Sequence, residues 1–435
     1  MKRTVFVFAA VMVFLASLSG LSSTSVKIAA GETASAGTGI EMRYLTPSKK
    51  VIPLVWKDRK EFWTTDIKLP ELLLTNRGND VFTLKSLEIK GVCENGQSVT
   101  YRLNGDLVAA ESRNINSSIN NASRKGKMDA LRPMLEISFG AISLPESPLS
   151  ESAVLRKGES TILLLSKVLY VHYTGRQKIS SLYLTAVVTG PSGDIVKEFP
   201  LPLTPYSVKG KYSFPLKGNL QIGNLPLNLD HHRCTMSQEF GFDVVEVGQR
   251  EGINFTHSIK STPLKSSDCR IFHREILAAG DGTVVVTGSR FPDEVADQIL
   301  ADPASQKKHF EELSARIGIL NTVAGNHIVI DHGNGEFSFY AHISEGTMKV
   351  KVGDKVKRGT PIALVGNTGN STGAHLHFQL MDSADMLTAN GLPIMFEDVP
   401  AAVMNSYFVE ANSLLDSDSL FLHMPIKEWQ PELFK

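Results

Sequence analysis

Short segments of apolar or alternating apolar and polar residues fill most of the first half of the chain. Runs such as LPELLLTNRG, FTLKSLEIKGV and SLYLTAVVTG are separated by Gly-, Asn- and Pro-containing stretches. Such runs between turn-forming residues are typical of β-strands. We therefore expect residues 27–205 to form an antiparallel β-sandwich of immunoglobulin-like type, with the polar stretch 112–127 as a long exposed loop. The role of this domain stays open.

A different pattern interrupts the second half. Within residues 292–318 the apolar residues Phe310, Leu313 and Ile317 recur every three to four positions, which predicts a helix. We expect a mainly β domain over residues 231–400 with this short helical insertion between two strands. The Pro-, Gly- and Asn-rich residues just before residue 231 predict a linker.

Length and charge limit the possible classes of protein. A chain of 435 residues is expected to hold two or three domains. The predicted domains are the β-sandwich and the second β domain, joined by a linker at 206–230 and followed by a C-terminal tail at 401–435. A formal net charge of zero gives no electrostatic reason to expect a nucleic acid partner or an anionic membrane.

The N-terminus has the composition of a secretory signal peptide. A basic Met-Lys-Arg start precedes the apolar run VFVFAAVMVFLASLSGL and then small residues, which predicts a signal peptide at 1–26. The run is short for a transmembrane helix of about 20 residues, so stable membrane insertion is not expected. An uncleaved anchor is the alternative. We expect export to the periplasm or to the extracellular cell wall.

The chain has three cysteines, Cys93, Cys234 and Cys269. In an oxidising compartment Cys234 and Cys269 can form a disulfide. Two separate buried thiols are the equal alternative, and Cys93 is expected in the N-terminal core.

The segment GNTGNSTGAHLHFQ carries two histidines, His375 and His377, on one face of a predicted strand. A His-x-His pair alone is a weak signal, but His342 lies upstream, and the pair His231-His232 comes before Asp243. Catalytic zinc takes about three protein ligands, commonly His nitrogens and a carboxylate, and one open position for water. These residue types therefore fit metal-assisted hydrolysis, with two histidines left for proton transfer.

From residue 231 to about 398 the chain resembles the LytM/lysostaphin-type zinc metallopeptidases, a bacterial family that cuts peptide bridges of peptidoglycan. The resemblance rests on AAGDGTVV (278–285), GNHIVIDHGNGEFSFYAHI (325–343) and VKVGDKVKRGTPIALVGNTGNSTGAHLHFQL (350–380). It implies a small antiparallel β domain with Zn²⁺ in a groove.

The resemblance also implies site residues. His232, Asp243 and His377 are expected to bind Zn²⁺, and His342 and His375 to act as the catalytic histidines. One departure is that His232 and Asp243 lie eleven positions apart, further than in the usual pattern of the family, so RCTMSQEFGF must loop out. A longer-spaced branch of the family, with a His-Arg pair before the strand that carries the aspartate, is similar to this chain and favours His232 over His231. That choice stays open.

The function implied is a secreted zinc metalloendopeptidase acting on peptidoglycan stems or cross-bridges, so peptidoglycan peptide is the expected partner. The alternative is a catalytically inactive LytM-type wall-binding or amidase-activating protein. In latent members of the family that this chain resembles, an upstream Asn occupies the open metal position, and the linker residues Asn224, Asn228 and Asp230 are the candidates for that role here. A plain connector is the other interpretation. The sequence does not indicate the oligomeric state.

Overall fold

The computed structural model describes residues 39–397 except 59–61, 166–169, 224–231, 233–234, 251–252 and 256–263, together with the strand residues 401–403 and 407–410. The chain divides into two compact units, Met1–Tyr206 and Ser207–Lys435. The predicted signal peptide and most of the predicted tail lie outside the described residues. Within the described part, no helix has the length and apolar character needed to cross a membrane.

Antiparallel strands make up most of the N-terminal unit. They are β1 (Ile40–Tyr44), β2 (Leu54–Asp58), β3 (Phe62–Lys68), β4 (Leu72–Asn76), β5 (Phe82–Cys93), β6 (Ser98–Asn104), β7 (Val154–Leu155), β8 (Ser160–Leu163), β9 (Tyr170–Gly175), β10 (Ile179–Gly190) and β11 (Gly193–Leu201). They form sheets of order β1-β4-β8, β11-β10-β5-β6 with β7 beside β5, and β2-β3-β9.

Strand β4 is buried along its whole length because both of its faces are covered. Leu72 and Leu74 share one core with the β5 and β10 strands, whereas Leu73 faces a second core. A strand covered on both faces has a continuous apolar run in place of an alternating one, which explains the sequence LLL.

Two helices, α1 (Gly105–Arg124) and α2 (Met128–Phe139), pack against β4 and β8 in the second core. The prediction of an exposed loop over 112–127 is therefore wrong. Helix α1 begins where the Asn104 side chain accepts a hydrogen bond from the Asp106 backbone N–H at 2.7 Å. It buries Ile115 and Ile119 against the β1-β4-β8 sheet.

The loop prediction was wrong because some polar residues of α1 are buried and make hydrogen bonds within the protein. Asn116 donates to the carbonyl of Ser150 at 2.7 Å and to the hydroxyl of Thr161 at 2.9 Å. The predicted antiparallel β character is confirmed. The immunoglobulin-like arrangement is not confirmed, because helices α1 and α2 cover one side of the β1-β4-β8 sheet.

The described strands of the C-terminal unit are also antiparallel. They are β12 (Asn219–Gly223), β13 (Phe242–Glu246), β14 (Gly248–Arg250), β15 (Ile253–Phe255), β16 (Glu275–Leu277), β17 (Gly282–Gly288), β18 (Asn326–Asp331), β19 (Phe337–Ile343), β20 (Lys355–Val356), β21 (Pro361–Leu364), β22 (Leu376–Met381), β23 (Gly391–Leu392), β24 (Ala401–Val403) and β25 (Tyr407–Glu410). The main sheet has the order β20-β17-β18-β19-β22-β13-β12-β25-β24, with β23 beside β22. Two small sheets pair β14 with β15 and β16 with β21.

The helical insertion lies between β17 and β18, as predicted. It contains α3 (Asp293–Ala301), a 3₁₀ turn at Pro303–Ser305, α4 (Gln306–Ile317) and α5 (Ile319–Ala324). Phe310, Leu313 and Ile317 are the buried residues of α4, so their spacing correctly indicated the inner face of this helix.

Residues 207–223 belong to the C-terminal unit and not to a linker. The side chains of Tyr212, Phe214 and Leu216 are buried there, and β12 pairs with β13. The Tyr212 hydroxyl donates to Glu336 at 2.7 Å. Residues 224–230, the rest of the predicted linker, lie outside the described part of the chain.

Candidate metal centre and active site

The centre of the main sheet places two of the predicted ligands side by side. Asp243 on β13 is the direct register partner of His377 on β22. Ala341 on β19 is the partner of His377 on the other side, so His342 follows at the end of that strand. The neighbours Phe242 and Phe378 are fully buried, which fixes both strands against the core.

Three potential ligands converge around Asp243. His377 Nδ1 lies 3.0 Å from Asp243 Oδ1, and His232 Nε2 lies 3.6 Å from the same oxygen. One ligand atom from each of His232, Asp243 and His377 lies within 4.8 Å of the other two. His231 lies outside the described residues, so the structure places only His232 at the site.

These three residues fit a zinc ion by the chemistry of their donor atoms. Two imidazole nitrogens and one carboxylate oxygen are the ligand set of many catalytic zinc sites. Burial raises the pKa of Asp243, but the His232 and His375 rings and the hydrogen bonds of His375 and His377 outweigh it and hold that pKa well below its usual value. An ionised, buried carboxylate beside several imidazoles is suited to a cation.

Gln379, two residues after His377 on the same strand, was not predicted as a site residue. It is fully buried, its Oε1 lies 2.8 Å from His377 Nε2, and its Nε2 donates to the carbonyl of Ser237 at 3.0 Å. The only sequence signal available was the i, i+2 spacing, which puts Gln379 on the same strand face as His377.

Backbone carbonyls hold the two remaining histidines. His342 Nδ1 lies 2.7 Å from the carbonyl of Thr368, and His375 Nδ1 lies 2.7 Å from the carbonyl of Gly373. Because a carbonyl only accepts, each Nδ1 carries a proton, and each Nε2 is the available base when the ring is neutral. The two ring centres are 4.5 Å apart, and His375 Nε2 lies 3.5 Å from Asp243 Oδ1.

The surroundings shift the pKa values of these two histidines in opposite directions. Burial, followed by the nearby His375 and His377 rings, lowers the pKa of His342 well below its usual value. Burial also lowers the pKa of His375, but the charge and hydrogen bond of Asp243, together with the hydrogen bond to the Gly373 carbonyl, outweigh burial and raise it. The pair thus contains one neutral imidazole and one that is easily protonated.

The backbone of His342 has a conformation that the sequence did not reveal. Its φ is +63°, in the left-handed region that residues other than glycine rarely adopt. The backbone N–H of Gly366 donates to the His342 carbonyl at 2.9 Å. Strained residues of this kind cluster at functional sites.

The loop that supplies the Thr368 carbonyl is held by the end of the helical insertion. The backbone N–H of Asn370 donates to the Val323 carbonyl at 2.8 Å, and that of Asn326 donates to the Thr368 hydroxyl at 2.9 Å. A Cβ on Gly325 would lie 2.3 Å from the Thr368 carbonyl oxygen. The insertion therefore packs directly against the residue that orients His342.

The structure thus brings the five predicted residues into one site: His232, Asp243, His342, His375 and His377. Cys269 is a buried free thiol, and Cys234 lies outside the described residues. The linker residues that were considered as occupants of the open metal position also lie outside the described residues: Asn224, Asn228 and Asp230.

Part of the C-terminal unit is similar to known proteins. Residues 315–389 match the model of Peptidase family M23, a segment that contains His342, His375 and His377. The peptidoglycan DD-endopeptidase ShyA of Vibrio cholerae serotype O1 is 40% identical over 92 residues, which are 21% of this chain and 21% of that protein. ShyB of the same organism, also named a peptidoglycan DD-endopeptidase, is 47% identical over 58 residues, 13% of each chain.

The matched segments span about a fifth or less of these relatives. A zinc-containing peptidase from Vibrio cholerae, whose crystal structure is known, covers 82% of this chain, and the match spans 85% of that protein, with 15% identity and a TM-score of 0.23. A similarity at that level adds no argument about the site. The family match and the residues gathered around Asp243 lead to one conclusion, that the C-terminal unit contains a segment, residues 315–389, that matches peptidase family M23 and supplies three of the five site residues.

Proposed function

We propose that this chain is an exported zinc metalloendopeptidase that hydrolyses peptide bonds of peptidoglycan. The observation that carries the proposal is the convergence of His232, Asp243 and His377, whose ligand atoms lie within 4.8 Å of one another. Beside them stand His342 and His375, each with Nδ1 held by a carbonyl. This combination supplies both a metal site and proton-transfer groups.

The metal ligands in this proposal are His232 Nε2, an oxygen of Asp243 and His377 Nδ1. When bound there, zinc would polarise the scissile carbonyl and activate water near neutral pH. Asp243 also lies near His375, so the same carboxylate holds that ring in place.

The two catalytic histidines take different roles in the proposal. His342, kept neutral by burial, accepts the proton of the attacking water at Nε2. His375, whose pKa is raised by Asp243, donates a hydrogen bond from its protonated ring to the developing negative charge on the carbonyl oxygen. The Thr368 and Gly373 carbonyls keep both Nε2 atoms facing the reacting groups.

The proposed substrate is a peptide cross-link of the cell wall. Two relatives bear the name peptidoglycan DD-endopeptidase, which makes the bond between two D-configured centres the first candidate. Glycine-rich bridges are the second, from the resemblance to lysostaphin-type enzymes. A wall substrate also requires export, in keeping with the signal peptide predicted at 1–26.

The test is digestion of purified sacculi followed by mass spectrometry of the released fragments. D,D-cross-linked sacculi and glycine-bridged sacculi are incubated with the wild-type protein, with and without a chelator. We expect release of cleaved cross-links, loss of release on chelation, and recovery on adding Zn²⁺. His309→Ala, on helix α4 of the insertion, is the matched control and should behave like wild type.

A different result would favour the alternative protein class. If the zinc-loaded protein binds sacculi but releases no fragment from either kind, the hydrolase proposal is wrong. The inactive wall-binding or amidase-activating protein is then the better explanation. Stimulation of a purified amidase by the same sample would separate the two forms of that alternative.

A further inference from the structure

The chain between the predicted ligands His232 and Asp243 forms a turn that is held by its own hydrogen bonds. His232 and Asp243 are eleven positions apart, and the end of the segment between them lies beside His377 at Gly241. The backbone N–H of Thr235 donates to the His232 carbonyl at 2.9 Å, and that of Gly241 donates to the Gln238 carbonyl at 2.7 Å. Gly241 is so close that a Cβ there would lie 3.3 Å from His377 Cε1.

One amide side chain bonds both to this turn and to a predicted ligand. Gln379 donates from Nε2 to the carbonyl of Ser237, which belongs to the turn, at 3.0 Å. Its Oε1 lies 2.8 Å from His377 Nε2. Gln379 and Ser237 are both almost completely buried, so water does not compete with these bonds.

The Ser237 carbonyl fixes the orientation of the amide. A carbonyl oxygen only accepts hydrogen bonds, so the NH₂ group of Gln379 must face Ser237 and its oxygen must face His377. His377 therefore carries its proton on Nε2 and donates it to Gln379. The lone pair of His377 is then on Nδ1, the atom that lies 3.0 Å from Asp243 Oδ1.

We propose that Gln379 is a positioning residue for the metal site: it holds His377 with Nδ1 free for the ion and ties the turn after His232 to that ligand. The inference rests on the proposed metal site and deepens it. A partner of this kind on the outer nitrogen of a metal-binding histidine fixes the tautomer and the ring orientation. Here the same group also holds the long segment between two of the ligands.

The rival explanation is that Gln379 only fills the core and satisfies Ser237. The two explanations differ in what a change at Gln379 does to metal binding. Gln379→Met removes both hydrogen bonds while keeping a side chain of similar length. Gln379→Glu keeps an acceptor for His377 but removes the donor to Ser237.

The experiment measures Zn²⁺ affinity of the full chain by competition with a chromophoric chelator. We expect Gln379→Met to bind Zn²⁺ about 10- to 100-fold more weakly than wild type, the loss common for outer partners of metal ligands. Gln379→Glu should recover most of that loss, and Gln298→Met, on helix α3, should match wild type. The Co²⁺-loaded samples should show an altered absorption spectrum for Gln379→Met alone.

Two outcomes would overturn the inference. One is equal Zn²⁺ affinity for Gln379→Met and wild type, and the other is an equal loss in Gln379→Met and Gln379→Glu, since that pattern means that only the bond to Ser237 matters. If wild type itself binds no Zn²⁺, the proposed function fails as well, which distinguishes the two failures.

A measurement on the wild-type protein avoids any folding defect of the variants. In the zinc-loaded full chain with ¹⁵N-labelled histidine, long-range ¹H–¹⁵N correlation shows which ring nitrogen bears the proton. We expect His377 to be protonated at Nε2 and bound through Nδ1. A proton on Nδ1 of His377 would contradict the role assigned to Gln379.

Discussion

His342 and His375 are chemically the same residue, but their surroundings give them different proton affinities. Burial and two neighbouring rings lower the pKa of His342, whereas the Asp243 charge raises that of His375. Groups whose pKa values are pushed apart in one site are suited to base and acid roles. The opposite pKa shifts therefore support the proposed roles of His342 as base and His375 as hydrogen-bond donor.

Replacing either of these histidines should separate catalysis from metal binding. We expect His342→Ala and His375→Ala to lower the rate of cross-link cleavage by about 10²- to 10⁴-fold, the usual effect of losing an acid–base group. Zinc content, measured by mass spectrometry, should stay near that of wild type. Asp243→Asn should lose the metal. Near-normal turnover in both histidine variants would contradict the assigned roles.

A buried histidine away from the reacting groups should make the C-terminal unit sensitive to acid. Burial lowers the pKa of His327, whose Nδ1 donates to the Gly325 carbonyl at 2.8 Å. Below pH of about 6.5 the unfolded chain takes up this proton before the folded one does, so the free energy of unfolding falls as pH falls.

The test is the free energy of unfolding measured by denaturant between acidic and neutral pH. His327→Gln removes the titrating group and should reduce the slope by up to about 1.4 kcal/mol per pH unit, the contribution of one proton. Gln298→Asn, on the exposed face of helix α3, is the control and should keep the wild-type slope, because neither side chain takes up a proton. An unchanged slope in His327→Gln would show that His327 does not contribute to acid sensitivity.

At the scale of elements, the helical insertion packs against the loop that precedes the His-x-His strand. Its last helix, α5, ends at Ala324, and the next residue, Gly325, packs against the Thr368 carbonyl that orients His342. The loop that carries the His-x-His strand therefore depends on a segment of the chain that contributes no ligand. Loops that place catalytic groups need such rigid support.

Two glycines of the insertion make a matched pair for testing this support. Gly325 (φ +65°) and Gly318 (φ +84°) both have backbone conformations that favour glycine, but only Gly325 lacks space for a Cβ. Gly318→Ala should cost about 1–3 kcal/mol of stability from backbone strain, with activity per folded molecule unchanged. Gly325→Ala should cost more and also lower that activity, because the Thr368 carbonyl must move. Equal activities, measured at a temperature where both variants are folded, would refute the coupling.

At the scale of the whole molecule, the boundary between the two units decides which segments fold together. The C-terminal unit begins at Ser207, and its first residues bury Tyr212, Phe214 and Leu216. A fully buried side chain of this size contributes about 1.5–3 kcal/mol. The segment just before the predicted site is thus part of the core of the C-terminal unit.

Truncation distinguishes this boundary from the predicted linker. A chain that starts at Ser207 should fold and bind Zn²⁺, whereas one that starts at residue 224 loses β12 and should unfold at a lower temperature. Thermal unfolding with and without Zn²⁺ is the measurement, and a 100-fold excess of Zn²⁺ over Kd should add about 2.7 kcal/mol to the stability of the longer chain. Identical unfolding of the two chains would show that residues 207–223 contribute nothing.

Local patterns were sufficient for much of the fold, whereas the choice of site residues rested on the resemblance to the LytM/lysostaphin-type peptidases. The apolar spacing on α4 and the His-x-His alternation depend only on helix and strand geometry, which neighbouring residues determine. The loop predicted at 112–127 failed because buried Ser and Asn residues look like loop residues until their partners are known. Asn116, for example, finds its partners at Ser150 and Thr161, far along the chain.

The sequence by itself determined the antiparallel β character and the helical insertion, because the spacing of apolar residues depends on neighbouring positions. Its motifs indicated the five candidate residues through their resemblance to the LytM/lysostaphin-type peptidases. Only the tertiary structure decided that Asp243 pairs with His377 across two strands and that Gln379 reaches Ser237. It also decided the opposite pKa shifts of His342 and His375. These features depend on how close residues from distant parts of the chain come and on how deeply they are buried. A local sequence pattern carries neither kind of information.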